Sequence, residues 1–142
     1  MATNNNHHLF VYGSLRSGFH SPAYEYISRY FDLVSEAKVK GRLYDMGEYP
    51  AAVPVNDDTF IVGELYVVKK ESEFSWAIGQ LDDYEGITTE DGHQPLYKRE
   101  LADIYVNDKT IAAWIYWYSA DVSGRPEIAS GDLMEYIHQK NK

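Results

Sequence analysis

The chain has 142 residues, 44% of them hydrophobic and 15% aromatic, with 13 tyrosines and no cysteine. That composition suits one domain with a sizeable core and excludes disulfides, thiolate chemistry and cysteine-based zinc sites. The formal net charge of -9 argues against a nucleic-acid groove, which needs a basic stripe, and against docking on anionic membranes.

In chain order, residues 1–8 lack the basic start and apolar core of a secretory signal and read as a disordered lead-in to a single domain over 9–142. No apolar run approaches the roughly 20 residues of a membrane helix, so a cytoplasmic location is the default. Leu9-Phe10-Val11-Tyr12 reads as a strand with both faces apolar, hence a central one. Ser21-Pro22 can open a helix, serine as N-cap and proline at N1. It runs from Ala23 to Phe31 and is expected to end at Asp32. Leu33 to Tyr44 is strand, with Gly41 marking a bulge or bend. A loop from Asp45 to Pro50 and a short strand, Ala51-Ala52-Val53, follow. Asn56-Asp57-Asp58 is a turn.

Thr59 to Lys69 alternates as a strand, with Phe60, Val62, Glu64, Tyr66 and Val68 on one face. A helix capped by Ser72 carries Phe74, Ile78, Leu81 and Asp82, and stops at Tyr84-Glu85-Gly86. Residues 87–95 form an acidic loop with Glu90, Asp91 and His93. Leu96–Val106 and Thr110–Ala120 read as a hairpin joined by Asn107-Asp108-Lys109. Gly124-Arg125-Pro126 is loop, and Ser130 is expected to cap a last helix with Leu133, Met134, Tyr136 and Ile137 as its apolar residues. Antiparallel neighbours dominate this order, so the class is α+β. The strand count, with Gly41 and Gly63 as curvature signals, fits a small barrel or strongly curled sheet flanked by a few helices.

Two stretches can carry chemistry. After Tyr12, Gly13 lets the backbone turn or a ligand come close, and Ser14 to Ser17 can aim several N–H groups at one point, an anion-binding nest. A plain strand end with a glycine turn satisfies the same residues. Asp82-Asp83-Tyr84-Glu85 puts three acids at a helix C-terminus, where the dipole disfavours them. The dipole and an apolar setting would both raise a carboxyl pKa, which suits a general base near neutral pH. Simple solvation is the alternative, and the better one for Asp83. Asp82 and Glu85 are spaced to share a helical face.

Other chemistries lack their patterns. Ser14 has no G-x-S-x-G elbow, the glycine loop is not a Walker A loop, and His7, His8, His20, His93 and His138 show no ligand spacing. No metal is expected. Trp114 to Tyr118 reads as a strand buried on both faces; Tyr116, Tyr118 and Tyr97 are lesser candidates for facing a substrate.

Taken together, LFVYGSLR, LDDYEG, LYKRE, the Trp-Ile-Tyr strand and the late Ser130-Gly131-Asp132 resemble the gamma-glutamylcyclotransferase-like family, from Leu9 to about Leu133. The branch they resemble is the gamma-glutamylamine cyclotransferase and AIG2-like one. The resemblance implies a small mixed β-barrel flanked by helices. It implies release of 5-oxoproline from a small-molecule gamma-glutamyl amide, with no cofactor. It places Tyr12, Gly13, Ser14 and Leu15 in the substrate loop and the catalytic glutamate at Glu85; Tyr97, a candidate from the residues themselves, is taken as a further substrate contact. The amine carried by the substrate and the oligomeric state stay open.

Rival readings are a related enzyme that removes a gamma-glutamyl cap from a larger amine product, and a non-catalytic module binding 5-oxoproline or an amino-acid-like ligand. A protein-interaction domain using exposed tyrosines has less support.

Overall fold

A computed structural model of the protein describes residues 7–12, 22–46, 50–85, 97–107, 109–119 and 121–140. In chain order these form β1 (His8–Val11), α1 (Pro22–Tyr30), β2 (Phe31–Asp45), β3 (Pro50–Pro54), β4 (Phe60–Val68), α2 (Phe74–Glu85), β5 (Tyr97–Val106), β6 (Lys109–Tyr118), β7 (Glu127–Ile128) and α3 (Leu133–Lys140). The strands follow the order β3-β2-β4-β1-β6-β5, and β2 also pairs with β5. That last pairing closes β2, β4, β1, β6 and β5 into a barrel and leaves those five strands without a free edge. The α+β barrel expected from the sequence is the observed fold.

Alternation along the strands sends side chains to two separate cores. Inside the barrel, Phe10, Val39, Ile61, Leu65, Ile104, Ala113, Ile115 and Trp117 meet, one end being covered by Leu133 of α3. On the outer face, Leu9, Val11, Tyr66, Val68, Tyr116 and Tyr118 pack against Ile27 of α1 and Ala77, Ile78 and Leu81 of α2. β1 lies between β4 and β6 and is buried on both faces, as its pattern predicts. Burying each large aliphatic side chain stabilises the fold by roughly 1.5–3 kcal/mol.

Gly63 faces a close approach of β1: a Cβ there would lie 2.2 Å from the Val11 carbonyl oxygen and 2.6 Å from Phe10 Cζ. Gly41 is not a bulge. β2 leaves β4 there and takes β3 as partner, pairing Gly41 with Pro54, while the register irregularity falls between Leu33 and Ser35.

Other boundaries also differ from expectation. α1 ends at Tyr30 and Phe31 already belongs to β2, so Asp32 is a strand residue. β1 starts at His8, one residue earlier than expected, and the His7 carbonyl accepts the Val68 N–H at 3.0 Å, so the last two residues of the expected disordered lead-in are part of the sheet's hydrogen bonding. Ser72 does not cap α2; it sits inside a 3-10 turn, Glu71–Glu73, entered through Lys70 with no side-chain cap. α3 is capped by Asp132, whose Oδ1 accepts the Glu135 N–H at 3.2 Å; the Ser130 hydroxyl accepts from Asp132 N instead. The two-residue strand β7, paired with Leu43 and Tyr44, is too short to leave a periodic signal. The hairpin forms as expected but with a tighter connection: Lys109 already pairs with Val106 and β6 ends at Tyr118, while Asn107 has a φ of 56°, the left-handed conformation asparagine tolerates best after glycine.

Candidate active site

β1 and β6 run parallel, with Leu9 beside Trp114, so their C-terminal ends reach the same rim of the barrel. β5 begins at that rim, where Tyr97 pairs with Tyr118 and Arg99 with Tyr116. β4 passes alongside, with Glu64 opposite Val11. α2 lies across the outer face, and its last turn meets this rim through Asp82, which is bonded to Arg99 and Tyr116.

The contacts within the rim are polar and directional. The Tyr12 hydroxyl donates to the Tyr116 carbonyl oxygen. The Tyr116 hydroxyl donates to Asp82 Oδ1 at 2.8 Å. Arg99 Nε and Nη2 donate to the two Asp82 oxygens at 2.7 and 3.0 Å, a two-pronged match of guanidinium to carboxylate. The guanidinium also stacks over Trp114, 4.5 Å from the ring centre. Hydrogen bonding to Asp82 is the largest cause of an Arg99 pKa above its ordinary value. A cation at a helix C-terminus is favourable, so Arg99 offsets the placement of Asp82 at the negative end of α2.

Further along the outer face, Glu64 is 8% exposed and accepts a hydrogen bond from the Tyr66 hydroxyl at 2.9 Å. The Tyr97 hydroxyl donates to the Pro50 carbonyl at 2.7 Å, and its ring packs edge-on to Tyr118. This fixes the start of β5 against β3. Toward the other end of α2, Tyr26 donates to the Ala77 carbonyl at 3.2 Å and stacks with Tyr30 and Trp76. Burial, and then the nearby Tyr30, push the Tyr26 phenol up to about 12.

Of the residues expected to form a site, Tyr12 stands at the end of β1 and Glu85 at the end of α2. Tyr12 is linked to Asp82, one helical turn before Glu85, through Tyr116. Tyr97 lies on the same rim with its hydroxyl engaged by main chain. Gly13, Ser14, Leu15, the side chains of Asp83 and Glu85, and the loop 87–95 lie outside the described residues.

The sequence pattern assigns no site role to Arg99, which lies in the LYKRE stretch, or to Glu64. The signal for Glu64 was a lone carboxylate on an otherwise apolar strand face. Arg99 had a weaker one, since it shares the β5 face of Tyr97 by alternation. Among the described residues no group of three or more His, Asp or Glu could hold a metal ion, and no helix is long and apolar enough to cross a membrane.

A profile described as "Gamma-glutamyl cyclotransferase, AIG2-like" matches residues 9–135. The chain belongs to this family. Its relatives include the gamma-glutamylcyclotransferase family protein YtfP of Escherichia coli K12, 29% identical over 128 residues, covering 89% of this chain and 96% of that one. MJ1514 of Methanocaldococcus jannaschii is 32% identical over 132 residues, covering 91% and 97%. The solution structure of E. coli YtfP superposes with a TM-score of 0.61 at 27% identity, covering 92% of this chain and 98% of that one. Bacillus subtilis YkqA gives a TM-score of 0.68 at 25% identity; the match covers 96% of this chain and only 43% of YkqA. The span matched to the gamma-glutamyl cyclotransferase, AIG2-like family holds β1, α2 and the β5–β6 hairpin, the elements that build the rim. Membership supports a gamma-glutamylcyclotransferase-like enzyme acting on a small gamma-glutamyl compound.

Proposed function

We propose that this chain releases 5-oxoproline from a gamma-glutamyl amine or amino acid, with Glu85 as general acid and base and the segment from Tyr12 to Leu15 as the substrate loop. The observation that carries the reading is the two-bond link from Tyr12 through Tyr116 to Asp82. It ties the strand leading into the loop to the last turn of the helix that ends in Glu85, and so favours one site built from both motifs.

The chemistry follows from the substrate. Its α-amine attacks its own side-chain amide carbonyl carbon. An ammonium has no lone pair, so a base must first take a proton from it; Glu85 does so. The new C–N bond closes a five-membered ring and the carbonyl oxygen becomes an oxyanion. Backbone N–H groups at Gly13 to Leu15 stabilise that charge or hold the α-carboxylate. The attacking nitrogen, now cationic with two hydrogens, gives up its second proton to solvent; as the oxyanion collapses, the bond to the amine breaks, and Glu85 returns the first proton to the departing nitrogen. Because the attack is intramolecular, holding the substrate in its folded conformation supplies much of the acceleration.

The test is 5-oxoproline release from free gamma-glutamyl amino acids, gamma-glutamyl-lysine and glutathione, with Glu85→Gln as control. Turnover in the variant is expected to fall roughly 100- to 10,000-fold, the span of a lost acid–base group, with the thermal transition preserved. Retained turnover in a folded variant removes Glu85 from the role. No release from any compound, with 5-oxoproline still binding, points to the binding module instead.

A further inference from the structure

We propose that Arg99, Asp82 and Tyr116 are positioning residues for the cyclisation, clamping the last turn of α2 to the β5–β6 hairpin and so fixing where Glu85 is presented. The inference rests on the reading of Glu85 as the base.

The body of α2 needs no such clamp. Ala77, Ile78 and Leu81 are buried in the outer core and hold the helix by apolar contact. Beyond Leu81 the situation changes. The final carbonyls of a helix have no partners within it, and such turns fray unless something outside holds them. Asp82 is the first residue of that turn and lies one turn before Glu85, on the same side of the helix. Among the described residues, its partners are Arg99 and Tyr116, which face each other across the hairpin register.

Both carboxylate oxygens are engaged, which fixes the rotation of the turn as well as its distance from the hairpin. Arg99 is itself held by its stacking on Trp114. The Arg99 and Asp82 side chains are only 23% and 15% exposed, so the pair is partly shielded from competing water. Tyr116 adds the link to the strand that leads into the loop, because its own carbonyl receives the Tyr12 hydroxyl. One three-residue cluster therefore touches both halves of the proposed site.

The experiment compares Arg99→Met, Arg99→Lys, Asp82→Asn and Tyr116→Phe with the parent chain. It uses 5-oxoproline release and amide hydrogen exchange across α2. Arg99→Met and Asp82→Asn are expected to lower kcat roughly 10- to 100-fold, with KM within about threefold, as a misplaced catalytic group would. Exchange should rise in the last turn, 82–85, while 77–81 stays protected. Arg99→Lys keeps the charge without the two-pronged geometry and should rescue kcat only in part. Tyr116→Phe removes one hydrogen bond, is the variant least able to disturb folding, and should give the same pattern in smaller measure.

Unchanged kcat in folded Arg99→Met and Tyr116→Phe overturns the positioning role. Unchanged exchange at the last turn overturns the clamp whatever the activity. A parent chain that releases no 5-oxoproline from the panel overturns the reading of Glu85, and the exchange data then still judge the clamp alone.

Discussion

The two faces of the β1–β6 pair are both buried, yet they are built differently. The face inside the barrel is apolar almost throughout: Phe10, Ala113, Ile115 and Trp117 meet Leu65 and Ile61 across a space so narrow that Gly63 has no room for a methyl group. The outer face also buries apolar side chains but adds polar tips. Tyr66, Tyr97 and Tyr116 each direct a hydroxyl to a carboxylate or a carbonyl, and Glu64, Asp82 and Arg99 stand among them. A closed barrel interior gives polar groups few partners, so burying them there costs more than it returns. On the outer face the last turn of α2 comes up to the strand ends, and there Asp82, Arg99 and Tyr116 find one another. Both faces contribute apolar burial, but the polar cluster forms on the outer one, with Tyr12 of the inner cluster reaching it through the Tyr116 carbonyl.

That division can be broken most forcefully from the inside. Ile115→Ala should lower unfolding stability by about 2–5 kcal/mol, the cost of lost burial plus a cavity in a rigid space. Gly63→Ala should cost roughly 3 kcal/mol through the opposite fault, because the added carbon would meet the Val11 backbone. Urea unfolding measures both, and turnover per folded molecule should stay near that of the parent in each. A large fall in turnover at full foldedness would show that the faces are not separable.

Hydroxyl deletions on the outer face should cost less stability by the same urea measurement. Tyr66→Phe removes a donor from the buried Glu64 carboxylate and should cost about 1–3 kcal/mol. Tyr116→Phe should cost about 0.5–1.5 kcal/mol while its effect on turnover is proportionately greater.

The smallest effect concerns pH. Burial, and then the neighbouring His7, lower the His8 pKa in the folded chain. Below about 6.5, the ordinary histidine value, the unfolded chain takes up a proton that the folded chain resists. This part of the stability is therefore present above that pH and is lost as the pH falls beneath it. A melting series from pH 7.5 to 5.5 should show a shallower acid decline in His8→Gln than in the parent; equal slopes would remove His8 from the account.

Much of the framework was legible before any coordinates. β1 declared itself central because Leu9 to Tyr12 are apolar on both faces, and the hairpin followed from two alternating runs around Asn107. What misled were residues whose local chemistry allows several outcomes. Ser72 and Ser130 are good helix caps in isolation, but in the fold a 3-10 turn takes up the first and Asp132 displaces the second. Gly41 suggested a bulge or bend; there is no bulge, and its small size serves a change of partner, with Ile61 and the Val53 carbonyl lying where a side chain would go. Of the candidate site, Tyr12 and Glu85 could be nominated from motifs. Arg99 lies within the LYKRE stretch, but its role was not legible there, because a basic residue in a strand has no period or spacing that distinguishes a clamp from a solvated charge.

The sequence by itself determined the alternation of the strands, the apolar stripe of α2, the absence of thiol chemistry and the order of the two motifs, since each depends on neighbours a few positions away. Only the tertiary structure decided that β2 meets β5 and that Arg99 closes on Asp82. It also decided that Tyr12 reaches Asp82 through Tyr116. Those contacts join residues 17 to 104 positions apart, and they exist because closing the barrel brings the strand ends and the last turn of α2 to one rim.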